Sequence, residues 1–225
     1  MATPAFYLCL DLAPMEGSVA LCQRGAAPKE REIPGSLRHT EQIIPTIDTL
    51  LKEEQVSLAS LAGIILNRGP GSFTGLRVAF STAKALAFSR GLSLHSVCGV
   101  EARKWGALKE LGVDVDAQVV TCLTQEKFLL GVNEIISRAE MEKNLSTERV
   151  WVIDPATAKV FNVVESDRIK IFGSKARFLG AALFEGQSRR DYLSDKDRIG
   201  AEPEYFGTTR YASVGGDFFV PQTRS

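Results

Sequence analysis

The amino-acid sequence predicts an α/β fold that opens with a β-hairpin and continues into a second, smaller half. Short apolar runs bounded by turn residues alternate with longer stretches of helical period, and this pattern restarts after about residue 112. Hydrophobic residues make up 44% of the 225 residues, enough for a substantial core without a metal or disulfide. We therefore predict a first lobe over 1–112, a smaller lobe over 113–191 and an irregular tail over 192–225.

The first half alternates predicted strands with predicted helices. The strands are short runs of apolar or β-branched residues, at 6–11, 17–22, 29–33, 62–66 and 92–97. The helices have apolar residues three and four positions apart, at 40–54, 73–89 and 100–111. The run 62–66 is apolar throughout, which is typical of a strand covered on both faces. We expect it to lie at the centre of the sheet.

The second half has weaker patterns. Its predicted strands lie at 118–123, 127–132, 149–153 and 159–164. One amphipathic helix is predicted over 174–185. From Tyr192 onward the chain is rich in Asp, Gly, Thr and Arg without a clear period, which predicts an irregular extension.

Charge and cysteine usage limit the classes of function. Lys plus Arg and Asp plus Glu both number 27, so no overall positive field attracts a polyanion such as tRNA, and any tRNA contact is expected to be indirect. The four cysteines are far apart and form no C-x-x-C pair, which favours buried, reduced thiols. The N-terminal apolar run is short, and no window approaches the ~20 apolar residues of a membrane span. We expect a cytoplasmic protein without a membrane contact.

The glycine-rich segment 69–75 is the sharpest local feature. It precedes a predicted helix, so its backbone could approach an anion, but Leu76 stands where a Walker A loop needs Lys. An anion site and a purely structural strand-to-helix turn both remain open. Ser72 lacks the glycines of a nucleophile elbow, and His39 and His95 form no metal-binding pair. A serine hydrolase and a metalloprotease are therefore disfavoured.

The helix that follows this segment is rich in small residues and is apolar on nearly all sides. Small residues let another helix approach closely, and the preceding helix carries its own Ile/Leu stripe. Two interpretations are open: these two helices form ordinary core, or they present an interface to a partner.

Several segments resemble the TsaB (YeaZ) family. The main one is the run N-R-G-P-G-S-F-T-G-L-R at 67–77, followed by T-A-K-A-L-A at 82–87. The segment H-T-E-Q-I-I-P at 39–45 is similar to the family's H-S-E-x-L-L-P helix start, and the opening hairpin is also similar. The second half offers only fragments, such as G-S-K-A at 173–176 and A-x-P-x-Y at 201–205.

The resemblance implies a two-lobed actin/Hsp70/sugar-kinase-like (ribonuclease H-like) fold with a reduced second lobe. Active members of that fold hold ATP and magnesium between the lobes. Here Asp11 remains, but Leu12 and Ala13 replace the family's hydroxyl pair, and 117–125 contains no carboxylate. Magnesium needs oxygen ligands. We therefore expect no metal and no cofactor of its own, with any ATP or ADP at an interface shared with a partner.

The resemblance also implies a non-catalytic scaffold. Family members pair with a TsaD-type transferase, which transfers threonylcarbamoyl to adenosine 37 of ANN-decoding tRNAs, are joined by a TsaE-type ATPase, and self-pair as homodimers when alone. The implied interface residues lie on the two helices described above and are Ile43, Ile47, Leu50, Leu51, Leu76, Ala79, Phe80, Ala83 and Ala87. The candidate anion or nucleotide contacts are Asp11, Gly69, Gly71, Ser72, Thr74, Gly75 and Arg77.

Two other functions compete with the scaffold. An autonomous nucleotide-binding ATPase or small-molecule kinase would use Asp11 and the 69–75 loop. An endopeptidase is disfavoured, because the sequence has neither the metal pair nor the nucleophile elbow that such an enzyme needs.

Overall fold

The chain forms two main β-sheets with helices around them, in a computed structural model that describes residues 5–34, 39–114, 116–185, 191–193 and 218–219. The first sheet has six strands, and the second has five in the order Ile169–Ile171, Trp151–Ile153, Gln118–Cys122, Lys127–Leu130 and Glu134–Ser137. A two-stranded pair of Phe218–Phe219 with Gly71–Ser72 stands apart from both. The mixed α/β class predicted from the sequence is confirmed.

The first sheet is built around a buried parallel core. Its strands, in sheet order, are β12 (Asp191–Leu193), β6 (Ser93–Val97), β4 (Leu61–Asn67), β1 (Phe6–Asp11), β2 (Gly17–Gln23) and β3 (Lys29–Ile33). Strands β1, β4 and β6 run parallel, while β2, β3 and β12 join antiparallel. In β4 every residue except Ala62 is buried, as expected for a strand covered on both faces.

Helices cover both faces of the first sheet. The helices α1 (His39–Glu53) and α2 (Phe73–Arg90) pack on the face that includes Leu8 and Ile64. On the opposite face, which includes Cys9, lie α6 (Ala176–Glu185) and one side of α3 (Gly99–Leu111). Alternate residues of the same strands belong to the hydrophobic cores on the two faces of this sheet, because successive side chains of a strand point to opposite faces.

The second sheet is smaller and is joined to the first through α3. Its strands are β7 (Gln118–Cys122), β8 (Lys127–Leu130), β9 (Glu134–Ser137), β10 (Trp151–Ile153) and β11 (Ile169–Ile171). The helices α4 (Arg138–Leu145) and α5 (Pro155–Phe161) accompany it. Val100 and Ala107 of α3 pack with Val119 and Val152 of this sheet, so α3 lies between the two sheets.

The second half departs from the sequence prediction in several places. The predicted strand at 159–164 is not formed: its first three residues belong to helix α5, whose N-terminus is capped by Asp154 with Pro155 in the first turn. Helix α4, which was not predicted, begins with a capping box formed by Ser137 and Glu140. The short strands β9 and β11 were also missed.

The chain returns to the first sheet near its end. Helix α6, assigned from the sequence to the second lobe, packs against β1 and β2 of the first sheet. Tyr192 and Leu193 of the predicted irregular tail belong to β12, and Phe218–Phe219 form β13 beside β5 (Gly71–Ser72). The rest of the tail lies outside the described residues.

Candidate functional site

A polar cluster with two buried members and one half-buried member lies where strands β1 and β4 end. Asp11 is the last residue of β1, Asn67 is the last residue of β4, and Ser174 precedes α6 on the segment that returns from the second sheet. The Nδ2 of Asn67 donates to Asp11 Oδ1 at 2.9 Å and lies 3.4 Å from the Ser174 hydroxyl. That hydroxyl in turn donates to Asp11 Oδ2. We call Asp11, Asn67 and Ser174 the hinge cluster.

Burial dominates the electrostatics of this cluster. Asp11 is 0% exposed, and burial raises the pKa of its carboxyl above the ordinary aspartate value. The hydrogen bonds donated by Ser174, Asn67 and the backbone N–H of Ala13 oppose that rise but do not cancel it. The carboxylate is thus held by donors from three separate segments of the chain.

The glycine-rich segment packs against the β1–β2 turn. A Cβ on Gly75 would lie 1.8 Å from the carbonyl oxygen of Leu12, and one on Gly71 would lie 2.7 Å from that of Ala13. The N–H of Ser72 donates to the Ala13 carbonyl at 2.7 Å. These two positions therefore require glycine because backbone meets backbone there. This close contact gives the segment a structural role that does not depend on a ligand.

The remaining residues of the segment serve helix α2 and its junction. The Ser72 side chain caps α2 by accepting from the N–H of Gly75 at 3.2 Å, while Gly69 donates its N–H to Asn67 Oδ1 at 2.8 Å. Thr74 and Arg77 are exposed in the first turns of α2, and the Arg77 guanidinium lies over the Phe73 ring. The predicted set thus divides into buried structural residues and exposed helix residues. Its use as an anion or nucleotide contact stays a prediction.

A magnesium–triphosphate does not fit around Asp11 as the side chains stand. The carboxylate is fully buried, and both its oxygens already accept hydrogen bonds. The described ranges also contain no group of three His, Cys, Asp or Glu side chains placed to hold a metal ion. Binding of ATP or ADP at an interface shared with a partner stays a prediction.

The nine predicted interface residues lie in the core of the chain itself. Each is at most 8% exposed, and all but Leu76 belong to the cluster packed between α1, α2 and the first sheet. The interpretation of these side chains as contacts to a partner is therefore corrected. Their apolar and small character is explained by packing of the helix pair on the sheet, which was the other interpretation open from the sequence.

The opposite side of the same helix pair is exposed. Phe88 on α2 is 83% exposed and Ile44 on α1 is 51% exposed. On α2 the exposed positions recur at three- and four-residue spacing, which places them along one side of the helix. We define the outer face as Ile44 and Pro45 of α1 with Arg77, Ser81, Ala85 and Phe88 of α2.

Sequence reasoning missed a buried arginine between the sheets. Arg103 of α3 is 3% exposed and donates to the Val120 carbonyl at 2.9 Å and to Thr121 Oγ1 at 2.7 Å. Burial lowers its pKa, and its Nε has no hydrogen-bond partner among the described residues. No local pattern distinguishes this arginine from a surface one. Asn67 and Ser174 were also missed as cluster members, although both lie in segments that carry the family resemblance.

Sequence similarity to known proteins covers only part of this chain. Residues 33–118 match the family model described as "TsaD: tRNA N6-adenosine threonylcarbamoyltransferase". The tRNA threonylcarbamoyladenosine biosynthesis protein TsaB of Haemophilus influenzae is 34% identical over 102 residues, which is 45% of this chain and 43% of that protein. The Escherichia coli protein of the same name is 31% identical over 47% of this chain and 45% of its own length. The matched segment thus spans less than half of either relative.

The fold likeness extends further than the sequence likeness. YeaZ from Pseudomonas aeruginosa superposes with a TM-score of 0.64 and 20% identity over 90% of this chain and 100% of that one. A second Pseudomonas aeruginosa structure is described as an uncharacterized protein with similarity to peptidase YEAZ. It superposes with a TM-score of 0.69 and 18% sequence identity, again over 90% of this chain and 100% of that one. The two-lobed fold expected from the resemblance is therefore confirmed. No helix in the described part of the chain has the length and apolarity to cross a membrane.

Proposed function

Because this chain is related to the TsaB (YeaZ) family by its signature segment and its fold, we propose that it is a non-catalytic scaffold in tRNA threonylcarbamoyladenosine biosynthesis. In this proposal the chain pairs with a TsaD-type transferase, which modifies adenosine 37 of ANN-decoding tRNAs. A TsaE-type ATPase joins the assembly, tRNA contacts the chain only through the complex, and the complex works in the cytoplasm.

The match to the TsaD family model supports the choice of partner. It covers 33–118, which contains both helices of the α1/α2 pair and α3. A TsaD-type protein therefore carries a related helix pair. Two related surfaces can meet about a pseudo-twofold axis, in the same way that two copies of one surface form an isologous dimer. The same geometry permits a homodimer when the transferase is absent.

The outer face is the observation that carries this proposal. Its α2 side has the exposed Phe88 and Arg77 with the small exposed residues Ser81 and Ala85 between these two along the helix, and α1 adds the exposed Ile44. A large apolar anchor beside small residues lets a partner helix approach closely, and such anchors contribute most of the binding free energy of an interface. This face replaces the buried residues that the sequence had suggested.

The lack of a catalytic role is supported by the hinge cluster. The carboxylate that an ATPase of this fold would use to position metal and water is hydrogen-bonded within the chain on both oxygens. The glycine-rich segment is packed on the backbone of Leu12 and Ala13. No observation on the described residues favours the ATPase or kinase alternative.

The substitution Phe88→Glu tests the proposal. A charge at this exposed position should leave the fold intact and weaken the transferase complex roughly tenfold or more, since a large apolar anchor is lost. Val164→Glu is the matched control, because Val164 is 79% exposed but lies after α5, away from α1 and α2. Affinity for the TsaD-type transferase of the same cell is measured by titration, with circular dichroism as the check on folding.

A tRNA modification assay completes the test. Threonylcarbamoylation of ANN-decoding tRNA by the transferase should require the wild-type chain, fall with the Phe88→Glu variant and persist with Val164→Glu. The chain alone should neither modify tRNA nor turn over ATP. Unchanged complex formation by Phe88→Glu would rule out the outer face, and ATP turnover by the chain alone would rule out the non-catalytic role.

A further inference from the structure

Both connections between the two sheets join the first sheet at the hinge cluster. The outgoing connection is α3, whose first residue Gly99 donates its N–H to the Gly69 carbonyl at 2.9 Å. A Cβ on Gly99 would lie 2.7 Å from the side chain of Asn67, so α3 starts in contact with the cluster. The returning connection is the segment before α6, which contributes Ser174 itself. The pair of side chains Asp11 and Asn67 is therefore in contact with both connections where they join the first sheet.

Each connection is also held beyond the cluster. On the returning side, the N–H of Ala176 donates to the buried Ser18 hydroxyl at 2.8 Å. On the outgoing side, Arg103 reaches from α3 to Val120 and Thr121 of the second sheet. Asp11 and Asn67 are buried and Ser174 is half-buried. Buried side chains that are hydrogen-bonded to one another have few alternative arrangements, since breaking one of these bonds leaves a buried polar group unsatisfied.

We propose that the hinge cluster is a lock that fixes the angle between the two sheets, with Asp11 holding Asn67 and Ser174 together at the point where both connections join the first sheet. Proteins change the angle between their parts at a few residues where connections enter and leave. In this chain those positions are joined by hydrogen bonds from Asn67 and Ser174 to a single carboxylate. The lock maintains one relative placement of the sheets and requires no ligand to do so. This inference does not depend on the proposed function.

The substitution Ser174→Ala tests the lock. It removes the hydroxyl that connects the returning segment to Asp11, so the amide hydrogens of Gly99 and Ala176 should exchange with solvent about tenfold faster than in the wild-type chain. Ser174→Thr keeps a hydroxyl and should restore slow exchange. Ser166→Ala is the matched control, because the Ser166 hydroxyl accepts a local bond from the N–H of Ile169 near the second sheet and does not touch the cluster.

The angle itself can be followed by a distance measurement between spin labels. Labels at Ala59→Cys beside the first sheet and Lys143→Cys on α4 occupy exposed positions, and the four native cysteines are buried, so labelling is selective. The distribution of label separations should be narrow in the wild-type background and clearly broader with Ser174→Ala. An unchanged distribution together with unchanged exchange at Gly99 and Ala176 would overturn the lock.

The unmodified chain provides a second test, which does not depend on whether any variant folds. If one cluster controls both connections, the amides of Gly99 and Ala176 should open in a shared event and show the same free energy of opening in native-state hydrogen exchange. Opening free energies that differ by more than the measurement error would contradict a single lock.

Discussion

At Asp11, a fully buried carboxyl group lies among three hydrogen-bond donors, and the balance between burial and hydrogen bonding decides its charge. Burial is the larger effect, so the pKa is raised. A raised folded-state pKa means that the folded chain binds this proton more tightly than the unfolded chain does. The charge on Asp11 therefore lowers stability at neutral pH even though its hydrogen bonds are satisfied.

The substitution Asp11→Asn should make the chain more stable at neutral pH. An asparagine can still accept from Asn67 and Ala13 through its oxygen and can donate to the Ser174 hydroxyl, but it carries no buried charge. In the wild-type chain, the contribution of Asp11 to the free energy of unfolding is fully present below the unfolded-state pKa of about 3.9. This contribution is lost as pH rises through the raised folded-state pKa. The stability difference in favour of Asp11→Asn should therefore grow with pH across that window, as measured by thermal unfolding.

Glu140 provides a control in which the pKa shift has the opposite direction to that of Asp11. Its pKa is lowered by hydrogen bonds from the backbone N–H and the hydroxyl of Ser137, so its stabilising effect is present above the ordinary glutamate pKa and is lost as pH falls through the lowered value. Glu140→Gln should be less stable than wild type at neutral pH, with the gap closing in acid. A gap between Asp11→Asn and wild type that shrinks with rising pH would contradict the assignment for Asp11.

At the scale of one element, strand β3 illustrates how an edge strand is held. Its basic residues face the acidic end of α1, with Lys29 beside Glu54 and Arg31 bonded to Glu53. Its acidic residues face the start of α6, with Glu30 bonded to Arg177 and Glu32 to Lys175. The alternation of charge follows the alternation of faces along a strand. Charged side chains also discourage pairing of this edge with another chain.

The two sides of β3 should differ in their importance for stability. Arg177 joins three elements, because it is bonded to Glu30 of β3 and bidentately to Glu110 of α3 at 2.8 and 2.9 Å. Arg177→Ala leaves the mostly buried Glu30 carboxylate without its guanidinium partner and should cost roughly 1–3 kcal/mol. The matched variant Arg31→Ala removes an exposed pair and should change stability little. Urea unfolding of both variants checks this, and equal losses would refute it.

Across the whole molecule, the two sheets share their helices. Helix α3 packs on both sheets, while α6, which comes late in the sequence, covers the face of the first sheet that includes Cys9, Ala20 and Ile65. The first lobe by itself, taken as residues 1–112, therefore lacks part of its own cover. The sequence boundary at about residue 112 does not separate two independent cores.

A fragment of residues 1–112 should consequently fail to fold alone. Without α6 and the second sheet, it would expose the apolar face around Cys9 and the apolar side of α3. We expect the full chain to unfold in one cooperative transition and the fragment to show none, as followed by circular dichroism in urea. A cooperative transition in the fragment would show that the first lobe is complete without α6.

Much of the first half could be predicted from its sequence because local signals agree there. The run of β4 is apolar throughout, Gly91 ends α2 in the left-handed conformation, and the α1 stripe has helical spacing. In the second half, the weak apolar run 159–164 resembles a strand although Asp154–Pro155 indicates a helix start, and the Ser137–Glu140 box indicates the start of a helix where the apolar pattern predicts no element. The capping residues Ser137, Glu140 and Asp154 are the local signal that predicts the starts of α4 and α5.

The sequence by itself determined the α/β class, the order of most elements in the first half and the family resemblance, because these depend on residues close together in the chain. Only the tertiary structure decided that Ile43 and Ala83 are core while Ile44 and Phe88 are exposed, and that Asp11 is bonded to Ser174. The first outcome depends on which sides of α1 and α2 meet the sheet, and α2 is apolar on nearly all sides. The second joins residues 163 positions apart, and no local pattern records such a contact.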